Sequence, residues 1–381
     1  MNAKTIIIGA DLVPNKFNEY LFEEGLSEKI VGKQLNEVLK ESDARFFNLE
    51  TVIYDGETPI HKCGPCLKTP TSVMPGIKAL NPSIVTLANN HIMDHGIDGL
   101  ASTIDQLKKH DIEYVGVGSN ISEAQKPYYY KLGDMKVGIY ACTEHEFSIA
   151  NEEKPGANPI DYLEISDHIK QLKDESDYVI VLYHGGSEKY RYVAPYLQKL
   201  CRKLVDCGAD LVVCQHSHCV GCKESYNGGE IVYGQGNFIF HNEDEFFQTA
   251  LLVKVSLWRE EKNIRSAIEY IPINQTERGV ELSDSNKRLE ILDGFFGRSE
   301  EIKDRNNILR NYDEFSEMMM KVVYYPRILG KIGDNIIFRC INRLAHKKIG
   351  RWFFATKQKN YVLNVIECEA HRELFIYGLK K

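Results

Sequence analysis

The feature that most constrains the fold is the alternation of short apolar runs with amphipathic stretches through most of the chain. The predicted strands are 4–10, 44–49, 83–88, 114–117, 128–132, 136–142, 178–183, 211–214 and 231–233. Their interiors are apolar at successive positions, which is typical of strands covered on both faces. The predicted helices between them are 33–41, 97–110, 163–173 and 194–207. This alternation predicts a layered α/β fold in which helices flank the sheets.

The chain changes character beyond these segments. Residues 249–258 and 264–273 alternate in polarity like antiparallel strands, and the pattern after about residue 277 is mainly helical. We therefore expect an α/β domain over residues 1–275 and a helical extension over residues 276–381.

Composition narrows the classes of protein. The 381 residues are 43% hydrophobic and carry a net charge of −7, which describes a globular protein and argues against a general nucleic-acid binder. No apolar run approaches the ~18 residues of a membrane-spanning helix. The N-terminus passes into a strand-like segment without a signal-peptide pattern, so we expect a cytoplasmic protein.

The end of the chain differs in charge. Residues 321–381 contain 13 Lys and Arg against 4 Asp and Glu, a net charge of +9, and segment 347–354 mixes basic and aromatic residues. One interpretation is a helical extension with a solvated basic face. The other is peripheral contact with an anionic polymer or with the inner membrane surface.

Two pairs among the ten cysteines have Cys-x-x-Cys spacing, Cys63/Cys66 and Cys219/Cys222. Three interpretations stay open: a structural zinc site, a redox dithiol, and ordinary reduced thiols of an intracellular protein. The first pair lies in a Gly- and Pro-rich stretch that is predicted to be a loop.

Polar residues follow five of the predicted strands at the same end. They are Asp11, Glu50, Asn90 with His91, His184, and His216 with His218. Because ligands bind beyond the carboxyl ends of strands in open α/β sheets, these side chains are expected to meet. Imidazole with carboxylate favours Zn, Fe or Mn, and so many ligands suit two divalent ions. The alternative for His216 and His218 alone is a pair of hydrogen-bonded loop histidines.

The same residues fall into motifs that resemble a known family. They are Gly9-x-Asp11, Asn48-Leu49-Glu50, Ala88-Asn89-Asn90-His91-x-x-Asp94-x-Gly96, His184-Gly185-Gly186-x-Glu188, Gly208-Ala209-Asp210-x-Val212-x-x-x-His216-x-His218 and Gly234-x-Gly236-Asn237-Phe238. In this order they resemble the CapA-like (poly-γ-glutamate capsule biosynthesis) family of the calcineurin-like metallophosphoesterase superfamily, over roughly residues 1–245. The resemblance implies two β-sheets flanked by helices, with the helical extension outside the match.

The resemblance also implies a ligand set for two ions: Asp11, Glu50, Asn90, His184, His216 and His218. Glu50 takes the bridging position, Asp11 and His218 hold one ion, and the remaining three hold the other. The superfamily's first motif is usually Asp-x-His, whereas Leu12 and Val13 follow the aspartate here. The resemblance therefore implies unequal sites, the one at Asp11 being weaker or completed by Asn48 or water.

Further residues are implied around the metals. His91 would stabilise the transition state or protonate the leaving oxygen, with Asp94 orienting its ring. The candidate substrate contacts are Lys68, Asn48, Glu144, His145 and Glu188. Segment 144–146 follows the predicted strand 136–142 at the same sheet edge and is a candidate lining of the pocket. For this segment and for Lys68, an ordinary surface loop is the alternative.

Two functions remain open at this point. The first is a dinuclear metal-dependent phosphoesterase that acts on a cell-envelope, capsule or polysaccharide-related substrate. The second is a non-hydrolytic, metal-containing accessory protein that binds an anionic polymer during capsule biosynthesis. Either function requires a phosphorylated or anionic small molecule or polymer as the partner.

Overall fold

A computed structural model describes residues 3–261, 263–330, 332, 335–345, 349 and 356–379. The chain forms two compact units, residues 1–308 and 309–381, and each is considered by itself. The predicted division at residue 275 stays a prediction.

The strands of the described residues all lie in the first unit. They are β1 (Lys4–Leu12), β2 (Ala44–Leu49), β3 (Val52–Ile53), β4 (Lys68–Thr69), β5 (Ile84–Thr86), β6 (Tyr114–Val115), β7 (Val117–Gly118), β8 (Tyr128–Leu132), β9 (Met135–Thr143), β10 (Gly156–Ala157), β11 (Tyr178–His184), β12 (Leu211–Gln215), β13 (Lys223–Tyr226), β14 (Gly229–Val232), β15 (Thr249–Glu260), β16 (Asn263–Gln275) and β17 (Val280–Leu282).

The strands form two large sheets. One has the order β17-β16-β15-β1-β2-β5-β6, and the other has the order β13-β14-β12-β11-β9-β8. Each sheet contains four parallel strands. They are β1, β2, β5 and the edge strand β6 in the first sheet, and β9, β11, β12 and β14 in the second. The strands β15, β16 and β17 extend the first sheet in antiparallel pairing. Two-stranded pairs β3-β4 and β7-β10 lie beside them.

Helices flank these sheets. The α-helices of the first unit are Glu19–Glu23, Ser27–Val31, Lys33–Glu41, Met74–Ala79, Gly96–Lys109, Ile121–Ala124, Ile165–Asp174, Pro195–Asp206 and Ser285–Glu301. Helix Arg305–Met319 crosses the division between the units, and the second unit contains Tyr325–Ile328, Ile336–Leu344, Thr356–Glu367 and Glu369–Leu379. The predicted fold class, two sheets flanked by helices with a mainly helical C-terminal region, is confirmed.

The period-two alternation of side chains explains how one buried strand serves two cores. Ile6 and Ile8 of β1 pack in a cluster with residues of both large sheets, including Ile180 of β11. Ile7 points to the opposite face and packs in a second cluster with helical residues such as Leu35. Residues Ile6–Ile8 are apolar at successive positions because both faces of the strand are covered here.

One predicted strand is divided in the structure. Segment 114–117 forms β6 and β7, which pair with different strands and are separated by Gly116. Gly116 has φ of +86°, and a Cβ there would lie 2.6 Å from Cβ of Ala88. The chain can change sheets here because glycine alone tolerates both conditions.

In the second unit, helix Ile336–Leu344 exposes Ile336, Ile337, Ile341 and Leu344. Segment 347–354, predicted as a basic and aromatic surface, lies outside the described residues except for Ile349. Among the helices that are described, none combines the length and apolarity required to cross a bilayer.

Candidate metal centre

The two sheets place their polar strand ends at one buried centre. Asp11 lies at the end of β1 and Glu50 directly follows β2, both in the first sheet. His184 ends β11 and His216 directly follows β12, both in the second sheet. The carboxyl ends of parallel strands from two facing sheets therefore supply the side chains together.

Three donor groups converge on His184. Its Nε2 lies 3.0 Å from Oδ1 of Asn90, 3.1 Å from Nδ1 of His216 and 3.1 Å from Oε1 of Glu50. The four side chains are at most 5% exposed. Two imidazole nitrogens, an amide oxygen and a carboxylate at this spacing form a donor set suited to a divalent transition metal.

Asp11 and His218 form the adjacent part of the centre. Oδ2 of Asp11 lies 3.3 Å from Nδ1 of His218, and Oδ1 accepts a 2.7 Å hydrogen bond from Nδ2 of Asn48. Asn48 is fully buried, and its Oδ1 accepts a hydrogen bond from Asn89. Asn48 therefore orients Asp11 from within the cluster, and its role as a substrate contact stays a prediction.

His218 is held from two other directions. Its Nδ1 lies 2.8 Å from Oδ1 of Asn237, and its ring stacks on Phe247 with centroids 4.8 Å apart. Both His216 and His218 have positive φ, of 86° and 55°. Such backbone is costly for a residue with a Cβ and persists where surrounding structure enforces it, commonly at functional sites.

Several buried carboxylate oxygens of the centre lack a hydrogen-bond partner among the described residues, which is what a metal site requires. Within the described residues, neither carboxylate oxygen of Glu50 accepts a hydrogen bond, and Oδ2 of Asp11 accepts none. Buried carboxylates without partners are expensive unless a cation compensates them. Donor atoms of Asp11, Glu50 and His184, and those of Glu50, His216 and His218, each lie within 4.8 Å of one another. The residues present therefore fit one or more divalent ions.

The imidazoles differ in charge before any ion binds. Burial, reinforced by the neighbouring His184, lowers the pKa of His216 well below its usual range. For His218, burial is outweighed by its close contact with the Asp11 carboxylate and by the charge of Glu50, which together raise its pKa to about 9. The neighbouring carboxylates also raise the pKa of His184, so without an ion they favour the charged form of His184 and His218, whereas burial favours the neutral form of His216. Metal binding competes with protons for these rings.

His91 and Asp94 form a pair beside this centre. Nδ1 of His91 lies 2.5 Å from Oδ2 of Asp94, which also accepts a 2.6 Å hydrogen bond from the amide of Leu67. Lys62 forms an ion pair with the other oxygen of Asp94, and its Nζ lies 3.2 Å from Nδ1 of His91. The side chains of Lys62 and Asp94 are 1% and 0% exposed.

Three glutamates, Glu144, Glu146 and Glu188, lie near the cluster formed by Asn90, His184 and His216. Nδ2 of Asn90 donates a 2.7 Å hydrogen bond to Oε2 of Glu146, and Oε1 of Glu144 lies 3.4 Å from Nε2 of His216. Burial raises the pKa of Glu144 to about 7, and the charges of Glu146 and Glu188 add to the rise. Glu188 itself is exposed.

Two predicted substrate residues make their described contacts elsewhere. Lys68 forms an ion pair with Glu57 and donates a 2.8 Å hydrogen bond to the carbonyl of Gly56. His145 is exposed, and its ring faces Tyr162 with centroids 6.4 Å apart. Their roles in substrate binding stay predictions.

Two further residues complete the centre: Lys62, which the sequence did not indicate, and Glu146, which was expected only as part of the pocket-lining segment 144–146. Lys62 lies in the Gly- and Pro-rich loop, where no periodicity reports which side chain turns inward. Glu146 follows the strand β9, and its position after a strand end was the available signal. Both contact residues of the predicted site, Lys62 through Asp94 and Glu146 through Asn90.

The cysteine pairs do not join these groups. Among the described residues, the clusters that could hold a metal contain no cysteine. Cys219 and Cys222 are buried, and burial raises the pKa of Cys219 to about 11. A raised pKa disfavours the thiolate, which is the form that binds metals and attacks disulfides.

The fold and this centre define a layered α/β protein with a buried cluster of metal-type ligands between two sheets. The family model "Bacterial capsule synthesis protein PGA_cap" matches residues 6–242. The chain therefore belongs to this capsule synthesis family, and the family predicted from the motifs is confirmed.

Curated relatives agree with the family. The chain is 29% identical over 207 residues to the capsule biosynthesis protein CapA of Bacillus anthracis, covering 53% of this chain and 50% of the relative. It is 30% identical over 201 residues to the PGA biosynthesis protein CapA of Bacillus subtilis, covering 52% of each. The chain thus spans about half the length of the curated relatives it matches.

Among solved structures, the chain is similar to a phosphatase from Mycoplasma pneumoniae. The sequence identity is 14% and the TM-score is 0.44, over 72% of this chain and 95% of that protein.

Proposed function

We propose that the chain is a dinuclear metal-dependent hydrolase, a phosphoesterase that acts on an anionic substrate related to the cell envelope, capsule or polysaccharide. The observation that carries the proposal is the convergence of two buried carboxylates, with unsatisfied oxygens, on three imidazoles and an amide oxygen. The pair formed by His91 and Asp94 next to this cluster supports catalysis rather than metal storage alone.

The division of the ligands between two ions is the one that the family resemblance implies. Asn90, His184 and His216 would hold one Mn, Zn or Fe ion, Asp11 and His218 the other, and Glu50 would contact both. Two divalent ions, when bound here, supply Lewis acidity for activating water and for neutralising charge on a phosphoryl group. The protein contributes a buried and partly preformed arrangement of ligands, since Asn48 holds the Asp11 carboxylate and Glu146 holds the Asn90 amide.

His91 is the candidate general acid. Asp94 binds Nδ1, which leaves Nε2 as the nitrogen that can donate a proton to a leaving oxygen. Lys62 and the amide of Leu67 hold Asp94 in turn, so the imidazole is oriented by a buried and charged network. An oriented donor of this kind acts when negative charge develops on the leaving group.

The names of the relatives narrow the class of substrate. They refer to the biosynthesis of capsule and of PGA, which favours an anionic polymer or one of its precursors as the partner. A cytoplasmic location stays a prediction.

The second candidate function is that of an accessory protein that binds the polymer without cleaving a bond. Its support is that the matching relatives are named for biosynthesis, whereas hydrolysis removes rather than joins groups. In this case the metal centre would serve as the binding site for carboxylate groups of the polymer.

The test separates chemistry from metal binding at adjacent residues. His91→Ala should keep the metal content and the fold, because Asp94 retains Lys62 and the Leu67 amide. It should slow phosphoester hydrolysis by roughly 10²- to 10⁴-fold, the usual size of a general-acid contribution. The loss should shrink for an aryl phosphate with a good leaving group, since that oxygen needs little protonation. Asn90→Ala should reduce metal content and activity together.

Metal analysis of the purified variants and rates with two synthetic esters measure these effects. If His91→Ala strips the ions, then His91 is itself a ligand and the assignment of roles is wrong. If the wild-type protein binds both ions and cleaves neither ester, the accessory function replaces the enzyme.

A further inference from the structure

We propose that Glu146 and Glu144 are positioning residues that fix the donor ends of Asn90 and His216 toward the same metal ion. The inference rests on the proposed metal centre and does not require that the centre be catalytic. It assigns a role to two carboxylates that follow the strand β9 and that the ligand motifs do not include.

Glu146 contacts only the NH₂ end of the Asn90 side chain. The carboxamide of Asn90 has an oxygen that can bind a cation and an NH₂ group that cannot. A carboxylate only accepts hydrogen bonds, so Oε2 of Glu146, 2.7 Å from Nδ2, selects the NH₂ end. Oδ1 must then face the opposite way, where it lies 3.0 Å from Nε2 of His184. Glu146 thus prevents the amide from turning its NH₂ group toward the ion.

Glu144 orients the His216 imidazole in a comparable way, by selecting which ring nitrogen carries the proton. Its Oε1 lies 3.4 Å from Nε2 of His216, while Nδ1 of that ring lies 3.1 Å from Nε2 of His184. A carboxylate near Nε2 favours the tautomer with its proton there and leaves the Nδ1 lone pair for the metal. The amide of Gly186 donates a 3.2 Å hydrogen bond to Oε2 of Glu144 and so anchors the carboxylate. Gly186 has φ of +113°, which suits glycine at this close turn.

Both effects converge on one ion. Asn90 and His216 both contact Nε2 of His184, and each has its other nitrogen next to a different glutamate of the segment 144–146. Loss of either glutamate should therefore weaken the same binding step. Outer carboxylates of this kind typically contribute 10- to 100-fold to metal affinity.

The experiment titrates metal-free protein with Mn²⁺ by calorimetry. Glu146→Gln and Glu144→Gln should each weaken one and the same binding step by roughly 10- to 100-fold. Glu152→Gln is the matched control, because it removes the same charge from an exposed position on the following loop. It should leave every step unchanged.

Repeating the Glu146→Gln titration in an Asn90→Asp variant distinguishes positioning of the amide from a general structural role of Glu146. In Asn90→Asp both ends of the side chain are oxygens, so no wrong end remains to be excluded. Glu146 would then face another carboxylate, and adding Glu146→Gln should leave Mn²⁺ binding unchanged or tighten it. An equal loss in both backgrounds would overturn the proposal, because a structural contribution does not depend on the identity of the amide.

An independent measurement covers Glu144. In metal-free wild-type protein, ¹⁵N NMR of the imidazoles should show His216 with its proton on Nε2, and Glu144→Gln should mix the two tautomers. An unchanged tautomer would overturn the role of Glu144.

Two further outcomes are decisive. If the wild type takes up an additional Mn²⁺ that Glu146→Gln removes without altering the other steps, the glutamates are ligands rather than positioning residues, and the proposal is wrong. If the wild type binds no Mn²⁺, both this proposal and the metal centre fall. Normal Mn²⁺ binding without phosphoesterase activity would overturn only the enzyme function and would leave this inference standing.

Discussion

The buried ion pair of Lys62 with Asp94 gives a stability prediction that can be worked out from the structure. Lys62→Met keeps much of the side-chain length but removes the ammonium group. Both partners are almost fully buried, at 1% and 0% exposure of their side chains. Breaking such a pair by removing one partner typically costs about 3–5 kcal/mol, since the other charge is left buried.

The remaining contacts of Asp94 place the cost at the lower end of that range. The carboxylate keeps the hydrogen bond from the Leu67 amide at 2.6 Å and its contact with Nδ1 of His91 at 2.5 Å. We therefore expect the free energy of unfolding to fall by about 3 kcal/mol for Lys62→Met. For Asp94→Asn we expect a larger loss, because the buried ammonium loses its counter-charge and has an imidazole and the Phe147 ring as its other described neighbours.

Urea unfolding of the metal-free variants measures these changes, and the double variant measures their coupling. Lys62→Met with Asp94→Asn should cost less than the sum of the single changes by about 2–3 kcal/mol. The matched control is Lys4→Met, which breaks an ion pair with Asp43 whose side chains are 43% and 30% exposed. It should cost less than about 1 kcal/mol. Equal losses for Lys62→Met and Lys4→Met, or strict additivity in the double variant, would refute the reasoning.

Three other predictions concern the ions, the backbone and the C-terminal region. His184→Ala should lose more bound metal than Asp11→Ala by elemental analysis, because Nε2 of His184 is central to the donor group; equal losses would contradict this. Gly116→Ala should lower the free energy of unfolding more than Gly64→Ala, since both have positive φ but only the former is crowded; equal urea midpoints would show that crowding is unimportant. Removal of residues 321–381 should reduce sedimentation with anionic liposomes in a salt-dependent manner, and equal binding by folded full-length and truncated protein would exclude that surface.

The layered fold could be predicted because strands buried on both faces are runs of successive apolar residues, and such runs are visible in the local sequence alone. Residues 44–49 were predicted and observed as one strand, and residues 178–183 differ by a single residue. The predicted strand 83–88 is shorter in the structure, ending at Thr86. The chain leaves the sheet after Thr86 because Asn89 turns inward to bind Asn48 and the Leu49 carbonyl. A local apolar pattern does not contain that long-range requirement.

The positions of the candidate ligands were predictable for the same reason, because the residue that follows a buried parallel strand lies at the carboxyl edge of the sheet. The lysine that holds the Asp94 carboxylate was not predictable in this way. Lys62 reaches Asp94 from a loop with no periodic pattern, and the side chain of Lys68, six residues later, pairs with Glu57 instead. Which lysine turns inward depends on the three-dimensional path of the loop, and charge alone does not distinguish the two.

Without bound ions, the arrangement of ligands lowers the stability of the fold, and bound ions would offset that loss. Glu50 is fully buried with both oxygens unsatisfied among the described residues, and His216 and His218 adopt backbone conformations that are rare for residues with a Cβ. None of these features stabilises the protein by itself. Ions that bind the folded state alone would stabilise it by about 4 kcal/mol at a thousandfold excess over the dissociation constant. Ions at these ligands would therefore make the stability of the first unit depend on its metal content. Under the proposed positioning roles, Glu144 and Glu146 would increase that dependence by strengthening the binding of one ion.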